Sequence, residues 1–159
     1  MSDGTSPLNE DFLDFLTALP SAGARFLVVG AHAMAVHGVP RATGDLDIWI
    51  ERDPANADRV WRALGLFGAP AEALGVSRLD LEKPNIVIQI GLPPRRIDLL
   101  TDITGVAFSE AWENRVTHAI GEVGVPFLGR AMLLRNKRAT GRLKDLADLE
   151  SLGESTGAG

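Results

Sequence analysis

Two aspartates stand two residues apart in one short apolar segment, residues 45–50. Successive side chains of a β-strand point to opposite faces, so a strand here places Asp45 and Asp47 on one face and the aliphatic residues on the other. The two Cα atoms would lie roughly 7 Å apart. Carboxylates that close repel each other unless a cation lies between them. Carboxylate oxygens suit Mg²⁺ or Mn²⁺, so the pair predicts a metal site. The alternative is a strand with an ordinary polar face.

Asp98 is a candidate for a third carboxylate of the same site. It lies in a mostly apolar segment, residues 95–101, that predicts another strand. A charge in such a strand is costly to bury unless it is paired or bound to a metal. The alternatives are an ion pair with Arg95 or Arg96, or a position that faces outward. Two other acids are weaker candidates for this place: Asp80 and Glu82.

A glycine turn precedes the acidic segment. The apolar run Phe26–Val29 predicts a buried strand that ends at Gly30, and the next residues, 31–37, are rich in helix formers. Glycine lets a ligand approach the backbone, and free amides at a helix start attract phosphate. We therefore predict that Gly30, Ala31 and His32 contact a phosphate group. The alternatives are a plain strand-to-helix turn and a packed histidine.

A short basic loop joins the turn to the acidic segment. Arg41 and Thr43 lie four and two residues before Asp45. An arginine in this place can bind phosphate oxygens through two N–H groups at once. The loop is therefore a candidate for triphosphate binding, and a surface ion pair between the arginine and a neighbouring aspartate is the alternative.

Composition excludes several classes of function. The chain has 159 residues, a net charge of -5 and no cysteine. A net negative charge does not favour broad binding to nucleic acids, whose phosphates are also negative. The lack of cysteine excludes disulfides and thiolate sites. The three histidines have no spacing typical of a zinc site. No apolar run reaches the ~20 residues that span a bilayer, and the N-terminus has no secretory signal. We expect a cytoplasmic protein without a membrane partner.

The segments predict one domain over residues 8–152, between flexible ends at 1–7 and 153–159. The chain order of helices and strands predicts an α/β or α+β fold, with a central mixed β-sheet flanked by helices. Strands are predicted over 26–29, 45–50, 85–90, 95–101, 115–120 and 123–128, with a strand entry over 77–83. Helices are predicted over 9–18, 31–37, 54–67, 71–74, 108–114, 129–140 and 143–152.

These features, in this order, resemble the signature of the DNA polymerase β-like nucleotidyltransferases. That signature is a hydrophobic residue, Gly, then Gly or Ser, about a dozen residues, and Asp-hydrophobic-Asp/Glu-hydrophobic. The resemblance is strongest to small stand-alone bacterial members, namely minimal nucleotidyltransferases and AbiEii-type toxin-like proteins. It covers most of residues 26–50 and extends more loosely to 85–101 and 137–152. The residues that carry it are Val29-Gly30-Ala31-His32-Ala33 and His37-Gly38-Val39-Pro40-Arg41-Ala42-Thr43-Gly44-Asp45.

The resemblance implies a nucleotidyltransferase fold and the transfer of a nucleoside monophosphate from an NTP to an acceptor hydroxyl. It implies that Asp45, Asp47 and Asp98 are the catalytic residues and hold Mg²⁺ or Mn²⁺. It also implies that Lys137 and Lys144 face the nucleotide, although a charged surface is the alternative for either lysine. The acceptor is a tRNA, a protein or a small molecule. Stand-alone relatives often belong to toxin–antitoxin pairs, which implies an antitoxin partner.

One position departs from the family pattern. Ala31 stands where the family often has Ser or Gly, so no hydroxyl is available there to contact phosphate. This departure favours a second hypothesis, in which the chain is a catalytically degenerate module that binds a nucleotide or another protein and retains the fold.

Overall fold

The computed structural model describes residues 10–40, 44–69, 75–91 and 96–153. Within these ranges the chain forms a six-stranded mixed sheet accompanied by helices, as the sequence predicted. The strands are β1 (Phe26–Val29), β2 (Leu46–Ile50), β3 (Val87–Ile90), β4 (Ile97–Leu100), β5 (Val116–Ile120) and β6 (Val123–Phe127). The helices are α1 (Glu10–Ser21), α2 (Gly30–Val36), α3 (Pro54–Phe67), α4 (Phe108–Glu113), α5 (Arg130–Thr140) and α6 (Leu143–Ser151), with a 3₁₀-helix over Arg78–Glu82.

The sheet order is β3-β4-β2-β1-β6-β5. Strands β3 and β4 pair antiparallel, as do β5 and β6, which confirms both predicted hairpins. Strand β2 is antiparallel to β1 and parallel to β4, and β1 is parallel to β6. The carboxyl end of β1 therefore lies beside the amino ends of β2 and β4. This arrangement gathers the glycine turn and the acidic segments at one end of the sheet.

Alternation along β2 divides its side chains between the two faces of the sheet. Leu46, Ile48 and Ile50 are completely buried in the core on the face opposite Asp47. On the face that carries Asp47, the Trp49 ring is buried against the Phe108 ring of α4, with 5.0 Å between centroids. The acidic residues thus stand at the end of a strand that the core holds firmly on both sides.

Helix boundaries follow from local chemistry. Helix α3 begins as predicted, because the Asp53 side chain accepts a hydrogen bond of 2.7 Å from the Asn56 amide and Pro54 occupies the first position. Helix α1 continues through Pro20 to Ser21, whereas the sequence predicted that the proline would end it. Proline removes one amide donor, but the Ala22 amide still bonds the carbonyls of the last turn, so the helix continues.

The strand entry predicted over 77–83 is wrong. The chain forms a 3₁₀-helix there, because Ser77 and the Asp80 side chain bond each other's backbone amides in a reciprocal cap. Several other predictions lie outside the described residues: the flexible end over 1–7, the helix start at Asn9, the helical turn over 71–74 and most of the tail after Gly153. Among the helices that the structure describes, none is long and apolar enough to cross a membrane.

Candidate functional site

Asp47 and Asp98 occupy the same register position on the parallel strands β2 and β4. Neighbouring strands lie ~4.8 Å apart, and residues paired in this way direct their side chains to the same face. The two carboxyl groups share a hydrogen bond, and the charge of Asp45, two residues before Asp47 in the chain, acts on Asp47. Arg96 binds both Asp45 and Asp98, so acids from two distant segments of the chain form one cluster.

Among the described residues, the cluster gathers three carboxyl groups around the Arg96 guanidinium. Burial raises the pKa of Asp47 to about 6, and the nearby charges of Asp98 and Asp45 reinforce the shift. Like charges nearby disfavour the ionised form of the Asp47 carboxyl group. Asp47 is therefore prepared to take up either a proton or a cation.

Arg96 lies immediately before β4 and binds two of the three aspartates. Its Nε donates to Asp98 Oδ1 at 2.8 Å and its terminal nitrogen donates to Asp98 Oδ2 at 3.2 Å. The same terminal nitrogen donates to Asp45 Oδ2 at 3.3 Å. The side chains are mostly screened from solvent, with exposed fractions of 25% for Arg96 and 13% for Asp98. The ion pair that the sequence left open as the alternative role of Asp98 is therefore present.

The metal site predicted here has the right donor chemistry but not the ligating arrangement. Within the ranges that the structure describes, no three acidic or histidine side chains are placed to hold a metal ion. In this arrangement the Arg96 guanidinium binds both oxygens of Asp98 and one oxygen of Asp45. Carboxylate oxygens are the ligands that a hard divalent cation prefers, so the three side chains match the donor chemistry of such a cation.

Gly30 makes room for the Asp47 carboxylate. Val29 pairs with Asp47 across β1 and β2, so the glycine turn begins directly beside it. A Cβ built on Gly30 would overlap the Asp47 carboxylate oxygen and lie 3.0 Å from its Cγ, and the residue has φ of 69°. Both facts require glycine here. The sequence predicted the glycine as a phosphate contact, and the structure adds its packing against the carboxylate.

His32 supports the site from α2. Its ring packs edge-on against Phe12, with centroids 6.2 Å apart, and it hydrogen-bonds to the backbone of Asp45. Burial lowers the pKa of this histidine, so the ring is neutral at pH 7 and brings no positive charge for a phosphate. Its Nε2 is buried and has no hydrogen-bond partner among the described residues. In the structure, His32 therefore positions Asp45 through this hydrogen bond.

Two predicted phosphate ligands, Arg41 and Thr43, lie outside the described residues. Ala31 is half-buried beside Gly30 at the start of α2, and its contact with phosphate stays a prediction.

Lys137 is not brought together with the carboxylate cluster. Its Nζ lies 2.8 Å from Asp148 Oδ2 and 3.6 Å from Asp145 Oδ1, in a largely buried ion pair between α5 and α6. The preceding residue, Asn136, donates to the Thr104 carbonyl in the loop after β4. That loop lies at the end of the sheet opposite Asp47. The lysine therefore holds two helices together at a distance from the acids.

Lys144 lies on the first turn of α6, exposed to solvent. Helix α6 begins directly after α5 ends, so this lysine shares the far end of the sheet with Lys137. Its contact with nucleotide stays a prediction, and the structure does not bring it to the acids.

Sequence reasoning missed Gln89. This exposed residue pairs with Asp98 across β3 and β4, so it extends the row of polar side chains across a third strand. The alternation of β3, with exposed Val87 and Gln89 between buried isoleucines, carries the signal for an open face. The sequence alone does not show that Gln89 lies beside Asp98, because this depends on the register between β3 and β4.

The face also has a cleft at its opposite end. A space of about 430 Å³ lies past the carboxyl ends of β2 and β4 and is lined by Trp49, Glu51, Thr101, Asp102 and Phe108, among others. The three aspartates are not part of its lining. The cleft is therefore separate from the carboxylate cluster.

Solved structures of similar fold are nucleotidyltransferases by description. A Thermotoga maritima protein to which nucleotidyltransferase activity is attributed superposes with a TM-score of 0.58 at 14% identity, covering 89% of this chain and 88% of its own. An antigenic nucleotidyltransferase-like protein from Paracoccidioides brasiliensis superposes with a TM-score of 0.52 at 18% identity, covering 89% and 74%. No protein-family model and no curated protein matches the sequence. The chain therefore has a nucleotidyltransferase fold, and identities this low speak to fold alone.

Proposed function

We propose that this protein is a nucleotidyltransferase that depends on Mg²⁺ or Mn²⁺ and moves a nucleoside monophosphate from an NTP to an acceptor hydroxyl. One observation carries the proposal. Asp47 and Asp98 stand side by side on parallel strands, with Asp45 close to both, at the end of the sheet where Gly30 opens the backbone. Its support is that this cluster lies in a nucleotidyltransferase fold and that its acids are those that the sequence resemblance implies as catalytic.

In the proposed reaction, Asp45, Asp47 and Asp98 would hold a divalent cation, and such a cation would stabilise negative charge on the attacking and leaving oxygens. Asp98 accepts the proton of the acceptor hydroxyl through a carboxylate oxygen. The acceptor oxygen then bonds to the α-phosphorus, and the bond from that phosphorus to the β-phosphate bridging oxygen breaks. Pyrophosphate leaves with that oxygen.

The remaining residues of the proposal bind the triphosphate. The backbone amides of Gly30 and Ala31 face the phosphates, and Arg41 and Thr43 come from the loop before β2. His32 acts by holding Asp45, since its buried ring is neutral. Lys137 and Lys144 are left out of this arrangement because they lie where α5 ends and α6 begins, at the far end of the sheet.

The acceptor and the partner rest on the sequence resemblance. It names a tRNA, a protein or a small molecule as acceptor, and a toxin role with an antitoxin as partner. Incubation of the protein with α-labelled NTPs and cell extract tests the reaction and the acceptor together. We expect Mg²⁺-dependent label on one class of molecule, abolished by Asp47→Asn and retained by Asp14→Asn, an exposed aspartate on α1. Labelling that Asp47→Asn leaves intact would contradict the proposal.

A second function is favoured by a specific observation. Arg96 engages two of the three acids, and Ala31 lacks the hydroxyl that the family often has. A catalytically degenerate module that binds a nucleotide or a protein would retain these features. This second hypothesis predicts that the protein binds an NTP but transfers no nucleoside monophosphate. It also predicts that the NTP binds equally strongly in Mg²⁺ and in EDTA.

A further inference from the structure

We infer that Arg96 is an internal counterion of the carboxylate cluster, which competes with the divalent cation for Asp98 and Asp45. The inference rests on the function proposed above, and it assigns a role to a residue outside the resembling signature. In the metal-free protein the guanidinium stands in for the cation. When the cation binds, the guanidinium is released from both aspartates.

The first argument is the identity of the atoms. Arg96 uses Oδ1 and Oδ2 of Asp98 at 2.8 and 3.2 Å, and Oδ2 of Asp45 at 3.3 Å. A guanidinium that binds a carboxylate through two parallel N–H groups uses about half of its lone-pair positions and offsets its charge, which weakens its attraction for a further cation. A cation that binds Asp98 therefore competes with Arg96 for the charge of the same two oxygens.

The second argument is the charge of the cluster. Three carboxyl groups face a guanidinium, which neutralises one of their charges. The hydrogen bonds of Arg96 go to Asp98 and Asp45, whereas Asp47 hydrogen-bonds to Asp98 and has a raised pKa. A divalent cation would offset more of this negative charge, since it brings two positive charges where the guanidinium brings one.

The third argument is the position of Arg96 in the chain. It directly precedes β4, whose first residue is held in register with Leu46 at the start of β2, and its own carbonyl accepts the Leu46 amide at 2.9 Å. The backbone of Arg96 is therefore fixed in the sheet, and the release of the guanidinium is a movement of the side chain alone. Such a movement leaves the three aspartates and the strand pairing in place.

An opposite role for Arg96 would look similar in a static structure. If the guanidinium serves to orient Asp98 for the metal, then removing it weakens metal binding. If it competes with the metal, then removing it strengthens metal binding. The two roles therefore predict opposite signs for the same variant.

The test is calorimetric titration of Mn²⁺ into the nucleotide-free protein at pH 7.5, for the natural chain, Arg96→Gln and Arg96→Lys. We expect Arg96→Gln to bind Mn²⁺ about tenfold more tightly or better, because a charge-assisted hydrogen bond contributes at least that factor. Arg96→Lys keeps the positive charge but loses the two parallel N–H donors of the guanidinium. Its affinity for Mn²⁺ should therefore fall between those of the natural chain and Arg96→Gln. The matched control is Arg52→Gln, which breaks the ion pair of 3.3 Å with Asp102 at the other end of the sheet and should leave the affinity unchanged.

Thermal unfolding in EDTA and in Mg²⁺ supplies a second readout. We expect Arg96→Gln to melt below the natural chain in EDTA, because Asp98 and Asp45 then lose the guanidinium that binds them. In Mg²⁺ the difference should largely disappear. A variant that melts equally far below the natural chain in both conditions would indicate a structural role and overturn the inference.

The outcomes separate this inference from the proposed function. If the natural chain binds Mn²⁺ and Arg96→Gln binds it equally or more weakly, competition is overturned and the proposed metal site stands. If neither protein binds Mn²⁺, the metal site itself fails, and the inference fails with it. Should Arg96→Gln not fold, the arginine Nε–H resonances of the natural chain give the answer. A protected resonance that Arg96→Lys removes should lose its protection on addition of Mg²⁺, and persistence of that protection would contradict release.

Discussion

At the scale of single residues, Asp47 is the acid most affected by its surroundings. Burial and two neighbouring carboxylates raise its pKa to about 6, from an ordinary value of 3.8. The folded protein therefore binds this proton more strongly than the unfolded chain does. It follows that ionised Asp47 destabilises the metal-free fold above pH 6, and that this cost disappears as the pH falls through 6 towards 3.8.

Asp47→Asn should remove this pH dependence. In EDTA at pH 8 we expect the variant to be more stable than the natural chain by about 1–3 kcal/mol, from a shift of roughly two pH units. Near pH 3.5, below the ordinary value of 3.8, the two proteins should be almost equally stable. Urea unfolding at a series of pH values measures the difference. Asp14→Asn is the control, and a difference between Asp47→Asn and the natural chain that is constant with pH would disprove the assignment.

Gly30 is the other residue on which the site depends. Gly30→Ala introduces a methyl group that overlaps the Asp47 carboxylate, at a φ of 69°. Gly38→Ala is a matched control, because Gly38 has φ of 99° but nothing within 4 Å of an added Cβ. We expect Gly30→Ala to cost about 1–3 kcal/mol more than Gly38→Ala, the range for overpacking.

A double-mutant cycle locates the cause of that cost. Asp47→Ala should recover much of the stability lost by Gly30→Ala, because it removes the group that the methyl overlaps. Additive effects in chemical denaturation would show that the glycine is required for another reason.

At the scale of elements, α5 and α6 are joined by an ion network whose lysine and two aspartates are largely buried and whose arginine is exposed. Lys137 contacts Asp148 and Asp145, and Arg142 contacts Asp145 at 2.7 Å. Burial alone would raise the pKa of Asp145, but hydrogen bonds from the Arg142 side chain, Thr140 and the Arg142 amide outweigh it and hold that pKa well below its usual range. This stabilisation is present above pH 4 and is lost as the pH falls further.

Lys137→Met leaves two buried carboxylates with less positive charge. We expect it to destabilise the protein by about 3–5 kcal/mol, the range for removing one partner of a buried ion pair. Lys144→Met, on the exposed side of α6, should change stability by no more than ~0.5 kcal/mol. Thermal unfolding compares them, and equal effects would mean that the ion network contributes little. NTP titration of Lys144→Met also tests the nucleotide contact predicted from the sequence, which would appear as weaker binding.

Much of the fold and part of the site could be predicted at this scale. Alternation and glycine punctuation identified β1, β2 and the β3–β4 hairpin, because periodicity is local information. The segment at 77–83 was misread because its reciprocal cap between Ser77 and Asp80 outweighs its apolar residues. The contact of Arg96 with Asp45 could not be derived, since it depends on the parallel pairing of β2 with β4. The position of Lys137 could not be derived either, because it depends on the direction in which α5 runs away from the carboxylate cluster.

At the scale of the whole molecule, the sheet order explains why acids from two distant segments meet. Strand β2 lies between β1 and β4, so the turn after β1 and the starts of both acidic strands share one end of the sheet. The far end carries a separate cleft and the ion network that fixes α5 to α6. The structure thus separates residues that stabilise the helices from residues proposed to do chemistry.

The most direct measurement of the central claim is thermal unfolding with an NTP and Mg²⁺. At ligand concentrations near a hundred times the dissociation constant, binding adds about 2.7 kcal/mol, which for a chain of this size raises the melting temperature by roughly 5–10 °C. We expect this rise for the natural chain and for Asp14→Asn, and its loss in Asp47→Asn and in Asp98→Asn. If Asp98→Asn shows the full rise while Asp47→Asn does not, the two aspartates do not share a metal, and the account is contradicted.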